Sequence, residues 1–122
     1  MPPLVSSYST KDMIQIKDTL SLQLLREQAD KTMPAGSFVW LYGSHARGNH
    51  HEGSDWDLLL LLDKKEINDD DFKQYGYPFI LFGWQYGADV SPQLYTIQEW
   101  KQRQSTPFYN NVEHDKQIIY GA

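Results

Sequence analysis

The chain has 122 residues, the length of one small domain with a single hydrophobic core. It contains no cysteine, which excludes disulfides and thiol catalysis and makes a reducing cytoplasm the expected location. The formal net charge of −5 argues against direct DNA or RNA binding, which requires a basic surface. No apolar leader is visible, and the longest apolar run, at 58–62, is far shorter than the about 20 residues that cross a membrane.

The first predicted element is an amphipathic helix over residues 11–29. Its apolar positions recur three or four residues apart, at Met13, Ile16, Leu20 and Leu24. Ser9 or Thr10 is the expected N-cap, and the turn formers at 34–36 end the segment. The next element, Phe38–Tyr42, is apolar at every position, which predicts a strand buried on both faces.

A turn follows this strand at Gly43 and Ser44, and we expect it to open a short helix that ends at Arg47. Residues 48–54 are polar and contain glycine, as is typical of a loop. Trp56–Leu62 is then predicted to be a second strand, covered on both faces because its leucines occupy both parities.

The next part of the chain predicts a helix followed by a third strand. The helix is expected to begin at Asp69–Asp71, because acidic side chains favour the positive end of the helix dipole. Pro78 should kink or split this helix. Residues 88–96 predict the third strand, in which Pro92 requires an edge position or a bulge.

The last part, residues 97–122, is predicted to be a helical tail. A helix is expected over residues 97–103, and a final short helix has Thr106 as its N-cap and Pro107 at its first position. The alternation of strands and helices predicts an α/β fold in which helices flank a small mixed sheet.

Two acidic residues at the start of the second strand suggest the chemistry. Asp55 and Asp57 are two residues apart, so their carboxylates lie on the same face of a strand and can point to one place. Two oxygen ligands beside a glycine-serine turn suit a divalent cation that holds a nucleotide triphosphate. Gly43 permits a close backbone approach or a positive φ, and Ser44 exposes a hydroxyl and an N–H group.

The motifs resemble a known family. Gly43-Ser44-x-Ala46-Arg47-Gly48 and Ser54-Asp55-x-Asp57-Leu58 are similar to the signature of the DNA polymerase β-like nucleotidyltransferase superfamily. More narrowly, they resemble the minimal nucleotidyltransferases, the MNT or MntA type. The resemblance covers residues 37–96, with a weaker similarity over 107–120, and implies the polymerase β-like fold and a single nucleotidyltransferase domain over residues 1–122.

The resemblance also implies a site. It adds Asp89 as a third carboxylate beside Asp55 and Asp57, and together these would hold two Mg²⁺ ions. Ser44 would donate to the β- and γ-phosphates of ATP. The alternative for each aspartate is a cap or turn residue, and Ser44 can also serve as a helix N-cap.

Two further residues of the motif have open roles. Arg47 is expected either to contact phosphate and brace the loop or to form a structural ion pair with a nearby acid. Ser54 is expected to cap or orient the strand that carries the aspartates.

The implied reaction is transfer of AMP from ATP to a hydroxyl. A chain of this length leaves no room for a small-molecule substrate domain, so a partner protein is expected to bring the acceptor. By resemblance, the partner is a HEPN-type protein, the acceptor is a tyrosine hydroxyl on it, and the pair acts as toxin and antitoxin.

Two alternatives remain open at this point. The chain could be a binding module with vestigial catalysis, whose acidic surface masks a basic RNA-cleaving partner. It could also be a stand-alone nucleotide or metal binder.

Histidines and aromatic residues near the motifs allow more than one interpretation. His50, His51 and Glu52 resemble a small metal cluster, but adjacent histidines in a loop usually point apart. His45 is interpreted as a solvated residue, with the pocket mouth as the alternative. The aromatic residues over 75–86 are interpreted as core, with an exposed partner surface as the alternative.

Overall fold

The computed structural model describes residues 20–121. Its elements in chain order are α1 (Leu22–Thr32), β1 (Phe38–Tyr42), α2 (Ser44–Arg47), β2 (Trp56–Leu62), α3 (Asp69–Asp71), a π-helical segment (Phe72–Gly76), α4 (Tyr77–Trp84), β3 (Val90–Thr96), α5 (Ile97–Lys101), α6 (Pro107–Asp115) and β4 (Gln117–Tyr120). None of the helices in this range combines the length and apolar character that a bilayer crossing requires.

The four strands form one mixed sheet in the order β3-β2-β1-β4. β1 is antiparallel to both β2 and β4, whereas β2 and β3 are parallel. The predicted α/β fold, with helices flanking a small mixed sheet, is therefore confirmed. β1 lies between two neighbours, as its apolar sequence predicts, and β3 lies at an edge, where Pro92 is tolerated.

The apolar residues of the sheet divide between two cores, because successive side chains of a strand point to opposite faces. The core between the sheet and helices α1 and α4 includes Leu25, Ala29, Val39, Leu41, Leu58, Leu60 and Phe79. The core on the opposite face includes Trp40, Leu59, Leu61, Trp100 and Val112. Burial on both faces fixes the register of β1 and β2, in which Tyr42 stands opposite Asp57.

The first helix differs from its prediction. The expected N-cap at Ser9 or Thr10 and the first part of the helix predicted over residues 11–29 lie outside the described residues. Ser21 caps α1 by accepting a hydrogen bond of 3.3 Å from a backbone N–H of the first turn, so a continuous helix through this position is wrong. The apolar spacing continues across the break because Leu20 is buried ahead of the cap.

The helical region after β2 is continuous from Asp69 to Trp84, but its hydrogen bonding changes next to Pro78. Asn68 and Asp71 form a capping box at the start of α3. The hydrogen bonding is π-helical up to Gly76 and α-helical from Tyr77, with Pro78 in the first turn of α4. This change in hydrogen bonding is expected because proline donates no N–H.

The last strand corrects the prediction of a helical tail over residues 97–122. α6 is capped by Thr106 and begins at Pro107 as predicted, but β4 follows it and pairs with β1. A four-residue strand is too short to reveal a period of two, and its partner lies far earlier in the chain.

Candidate active site

The glycine-serine turn and the aspartate strand meet at one end of the sheet. Gly43 follows β1 directly and adopts φ 78° and ψ −159°. A Cβ atom at this position would collide with Oδ2 of Asp57 and lie 3.3 Å from its Cγ. The Asp57 carboxylate therefore occupies space that only glycine leaves open. The two motifs, separate in sequence, are in direct contact in the fold.

Asp55 and Asp57 lie close together beside β3. Ser91 stands opposite Asp57 in the parallel pairing, and its hydroxyl donates to Oδ2 of Asp55 at 3.4 Å. Burial and the neighbouring Asp55 charge raise the pKa of Asp57, whereas Arg47 acts in the opposite direction. Two like charges that repel each other at a half-buried position fit a divalent cation, because a cation would remove the repulsion.

Asp89 lies at the same end of the sheet, one residue before β3. Its backbone carbonyl accepts a hydrogen bond of 2.9 Å from the N–H of Trp56, the residue between the two aspartates. Its side chain is exposed. Within residues 20–121, no three His, Cys, Asp or Glu side chains form a group that could hold a metal ion. In that part of the chain, Asp55, Asp57 and Asp89 therefore do not form a three-carboxylate cage.

Arg47 is already engaged in an ion pair. Its Nη1 lies 2.8 Å from Oδ2 of Asp115 at the end of α6, although 45% of the arginine side chain is exposed. This contact agrees with the structural ion pair expected for Arg47. It ties α2, which follows the glycine-serine turn, to the C-terminal helix.

Ser54 closes the loop that precedes Asp55. Its hydroxyl accepts a hydrogen bond of 3.0 Å from the N–H of His51, and its own N–H donates to the His51 carbonyl at 3.0 Å. These bonds form a tight turn directly before the aspartate strand. Ser54 therefore fixes the backbone immediately before Asp55, and its role of capping or orienting the strand stays a prediction.

Tyr42 and Ser91 contact the site but carry no motif signal. Burial and the Asp57 charge raise the pKa of Tyr42 to about 12, so its phenol keeps its proton at neutral pH. The Tyr42 ring packs edge-on against Phe108 of α6, with 5.5 Å between ring centroids. Only the strand register, which pairs Tyr42 and Ser91 with Asp57, could have revealed them.

His45 is half-buried rather than solvated, which corrects its interpretation. Its ring is stacked between the rings of Trp56 and His50, with centroid distances of 3.8 and 4.1 Å and interplanar angles of 17° in both cases. Its Nε2 lies 3.0 Å from the carbonyl oxygen of Ser54. Burial lowers the pKa of His45, so the ring is neutral at neutral pH.

A cleft of about 810 Å³ lies beside this stack. Its lining includes His45, His50, Glu52, Ser54, Trp56 and Asp89. The lining includes Ser54 and the variable position of the first motif, His45, but none of Gly43, Ser44, Asp55 and Asp57.

Comparisons with known proteins identify the family and the fold. A family model described as a nucleotidyltransferase domain matches residues 22–119. No curated protein shows significant sequence similarity to the chain.

Two solved structures share the fold. A crystal structure of a toxin-antitoxin with AMP-PNP has a TM-score of 0.59 and 15% sequence identity, and the similarity covers 84% of this chain and 75% of the other. A mutant of the toxin-antitoxin MntA-HpeT has a TM-score of 0.56 and 14% identity, with the same two coverages of 84% and 75%. At these identities, the similarity is one of fold.

Proposed function

Because the chain belongs to the nucleotidyltransferase domain family, we propose that it transfers AMP from ATP to a hydroxyl acceptor as a single domain. The observation that carries the proposal is the contact between Gly43 and the Asp57 carboxylate. The glycine-serine turn, which we propose binds phosphate, thus lies directly against Asp57, one of the proposed metal ligands. Charge stabilisation and positioning, which dominate phosphoryl-transfer catalysis, require this proximity.

We propose that Asp55 and Asp57 hold Mg²⁺, with Asp89 as a further ligand of a two-ion site. The bound ions would neutralise phosphate charge and polarise the acceptor hydroxyl. The raised pKa of Asp57 supports this assignment, because burial and, to a smaller extent, the Asp55 charge disfavour its ionised form, which a bound cation would stabilise.

The residues of the chain would then act in defined roles. Ser44 and the backbone of the turn bind the β- and γ-phosphates and hold the nucleotide in place. The acceptor oxygen forms a bond to the α-phosphorus as the bond from that phosphorus to the bridging oxygen breaks. Asp89 accepts the hydroxyl proton, and pyrophosphate leaves with the electron pair of the broken bond.

Arg47 would brace the turn. Its ion pair with Asp115 fixes α2 against α6, which supports a positioning role. A direct phosphate contact would require this ion pair to open.

We further propose a HEPN-type toxin as partner and a tyrosine hydroxyl on that toxin as acceptor, which would make the chain an antitoxin. Two solved structures of similar fold are toxin-antitoxin assemblies, one of them with AMP-PNP. The net charge of −5 and the exposed side chains of Tyr77, Leu81 and Trp84 on α4 suit a protein partner.

The test uses ATP labelled at the α-phosphate. The chain is incubated with Mg²⁺, the label and the protein encoded beside it, and labelled tyrosine on that protein is the expected product. The double variant Asp55→Asn/Asp57→Asn serves as the control. Absence of label with the wild-type chain, or equal label with the double variant, would refute the proposal.

A second candidate function is neutralisation of the partner by binding alone. The exposed apolar face of α4, on which Trp84 is 56% exposed, favours it. The variant Asp57→Ala separates the two functions in a growth assay with the partner. Full protection by this variant would support binding alone, whereas lost protection supports catalysis.

A further inference from the structure

We propose that Gln117, the first residue of β4, is a positioning residue that holds the glycine-serine turn in the orientation for phosphate binding. Its side-chain amide donates a hydrogen bond of 2.7 Å to the backbone carbonyl of Ala46, which is 71 residues earlier in the chain. Ala46 lies two residues after Ser44, in the same four-residue helix α2. The proposal rests on the proposed function, since it concerns the turn that we propose binds the β- and γ-phosphates.

The helix α2 is too short to fix its own orientation. It has four residues, and a helix of this length is unstable alone, because ordering the first turn costs more free energy than its few hydrogen bonds contribute. Its backbone bonds, such as the one of 3.1 Å from the Arg47 N–H to the Gly43 carbonyl, join residues of the turn to one another. Contacts from other elements are therefore needed to fix the direction of α2 relative to the sheet.

The Gln117 bond acts at the end of α2 and close to the proposed phosphate ligands. The last carbonyls of a helix have no partner within it, and the Ala46 carbonyl is one of them. Because a helix rises about 1.5 Å per residue, Ala46 is only about 3 Å along the axis from Ser44. A shift of Ala46 would therefore move the N–H and hydroxyl groups of Ser44 as well.

The pairing of β4 with β1 places Gln117 beside α2. Gln117 pairs with Leu41, two residues before Gly43. Paired residues of antiparallel strands share a face of the sheet, and Leu41 and Ile119 both belong to the core beneath α1 and α4. The Gln117 side chain therefore lies on this face, where Ala46 packs against the same core.

The residues just before β4 make a second contact with α2, through the ion pair of Asp115 with Arg47. The arginine side chain is 45% exposed, so water and salt weaken this pair. The Gln117 bond is uncharged and half-buried, and salt does not screen it. We therefore expect Gln117 to contribute more than Asp115 to the position of α2.

The experiment measures the affinity for inorganic triphosphate in Mg²⁺ by isothermal titration calorimetry, because this ligand probes the turn without a base, an acceptor or a partner. Gln117→Met keeps the length of the side chain but has no N–H donor. It should bind triphosphate about fivefold more weakly, the equivalent of one ordinary hydrogen bond. Gln117→Thr, a strand former too short to reach the Ala46 carbonyl, should show the same loss.

Arg26→Ala is the matched control. The Arg26 Nη2 donates to the Ile118 carbonyl at 3.2 Å, so this side chain also bonds to β4, but it joins the strand to α1 rather than to α2. Triphosphate affinity should stay unchanged in this variant. Thermal melts of each variant verify that the titrations are made on folded protein.

A double-mutant cycle with Ser44→Ala separates positioning from general stability. If Gln117 acts through the turn, the loss caused by Gln117→Met should shrink to about twofold when the Ser44 hydroxyl is absent. A side chain that only stabilises the fold would cause the same loss in both backgrounds.

Several results would overturn the positioning role and leave the proposed transfer of AMP intact: unchanged triphosphate affinity in Gln117→Met, an equal loss in Arg26→Ala, or full additivity with Ser44→Ala. If the affinity effects appear but the wild-type chain labels no protein, the positioning role stands and the transfer reaction fails. If the wild-type chain does not bind triphosphate, the phosphate-binding turn is itself refuted, and the role of Gln117 fails with it.

Discussion

Asp71 and Asp57 show two opposite uses of a carboxylate in this fold. Asp71, at the end of α3, is only 4% exposed. Its two oxygens lie 2.9 and 2.8 Å from Nζ of Lys64, and one also accepts from the Asn68 N–H at 2.9 Å. Burial alone would raise the pKa of Asp71, but the bonds from Lys64 and Asn68 outweigh it and hold this pKa below its ordinary value.

Asp57 has the reverse environment. Burial and the Asp55 charge raise its pKa, and the opposing cation, Arg47, is bound to Asp115. The fold thus satisfies the charge of Asp71 and leaves that of Asp57 under-compensated. A bound cation would stabilise a carboxylate whose ionisation the fold disfavours, and this supports the proposed role of Asp57 as a metal ligand.

The largest effect is expected for the variant Asp57→Asn, which removes the under-compensated charge. Loss of a metal ligand removes several kcal/mol of charge stabilisation, so transfer should fall by at least about 100-fold. Because the raised pKa means that ionisation of Asp57 costs stability, the same variant should melt at a higher temperature than the wild type at pH 7. Rates from labelled ATP and thermal melts check both effects.

The pH dependence of this stability gain tests whether the ionisation of Asp57 causes it. The stability gain of Asp57→Asn should shrink as the pH falls through the raised pKa of Asp57, because the wild-type carboxyl then becomes neutral too. A gain that is independent of pH would show that ionisation of Asp57, disfavoured by burial and by the Asp55 charge, is not its cause. A lower melting temperature at pH 7 would contradict the whole comparison.

The next variant changes Gly43, the glycine that leaves space for the Asp57 carboxylate. Gly43→Ala places a methyl group against the Asp57 carboxylate and forces alanine to φ 78°, ψ −159°, a region open almost only to glycine. We expect the free energy of unfolding to fall by about 3 kcal/mol and transfer to be lost. Denaturant titration measures the first effect and the labelling assay measures the second.

Gly48→Ala is the matched control for this variant. Gly48 has the same φ of 78°, but a Cβ atom there would meet no atom within 4 Å. Its cost should be limited to the left-handed backbone, about 1–2 kcal/mol, with transfer retained. Equal losses in the two variants would mean that the Asp57 contact adds nothing.

The elements around the motif could be predicted because their signals are local. Phe38–Tyr42 is a continuous apolar run, and Trp56–Leu62 is apolar except for Asp57; the strands end before Gly43 and Asp63. The pairing of Asp55 with Asp57 follows from the strand period alone. The Gly43 contact with Asp57 was implied by the motif, but its reason, the pairing of Tyr42 with Asp57, is a long-range register.

The features that the sequence did not reveal all depend on distant partners. β4 exists because β1 offers a free edge, and Ser91 reaches Asp55 only through the pairing of β2 and β3. The His45 stack joins residues from a helix, a loop and a strand. Local spacing carries no information about such contacts, which burial and register decide.

The smallest effect is expected at Asp71, the carboxylate whose charge the fold satisfies. Asp71→Ala removes the capping box and the Lys64 pair, but the freed Lys64 side chain is already 37% exposed and can turn to water. We therefore expect the free energy of unfolding to fall by about 2 kcal/mol, with transfer unchanged. The lowered pKa means that this stabilisation is present above the ordinary carboxyl pKa and is lost as the pH falls through the pKa of Asp71.

The exposed neighbour Asp70, changed to Ala, should alter stability by no more than about 0.5 kcal/mol, and denaturant titrations at pH 7 and at acidic pH compare the two. An Asp71→Ala loss that does not diminish in acid would show that the side chain acts through packing rather than through its charge.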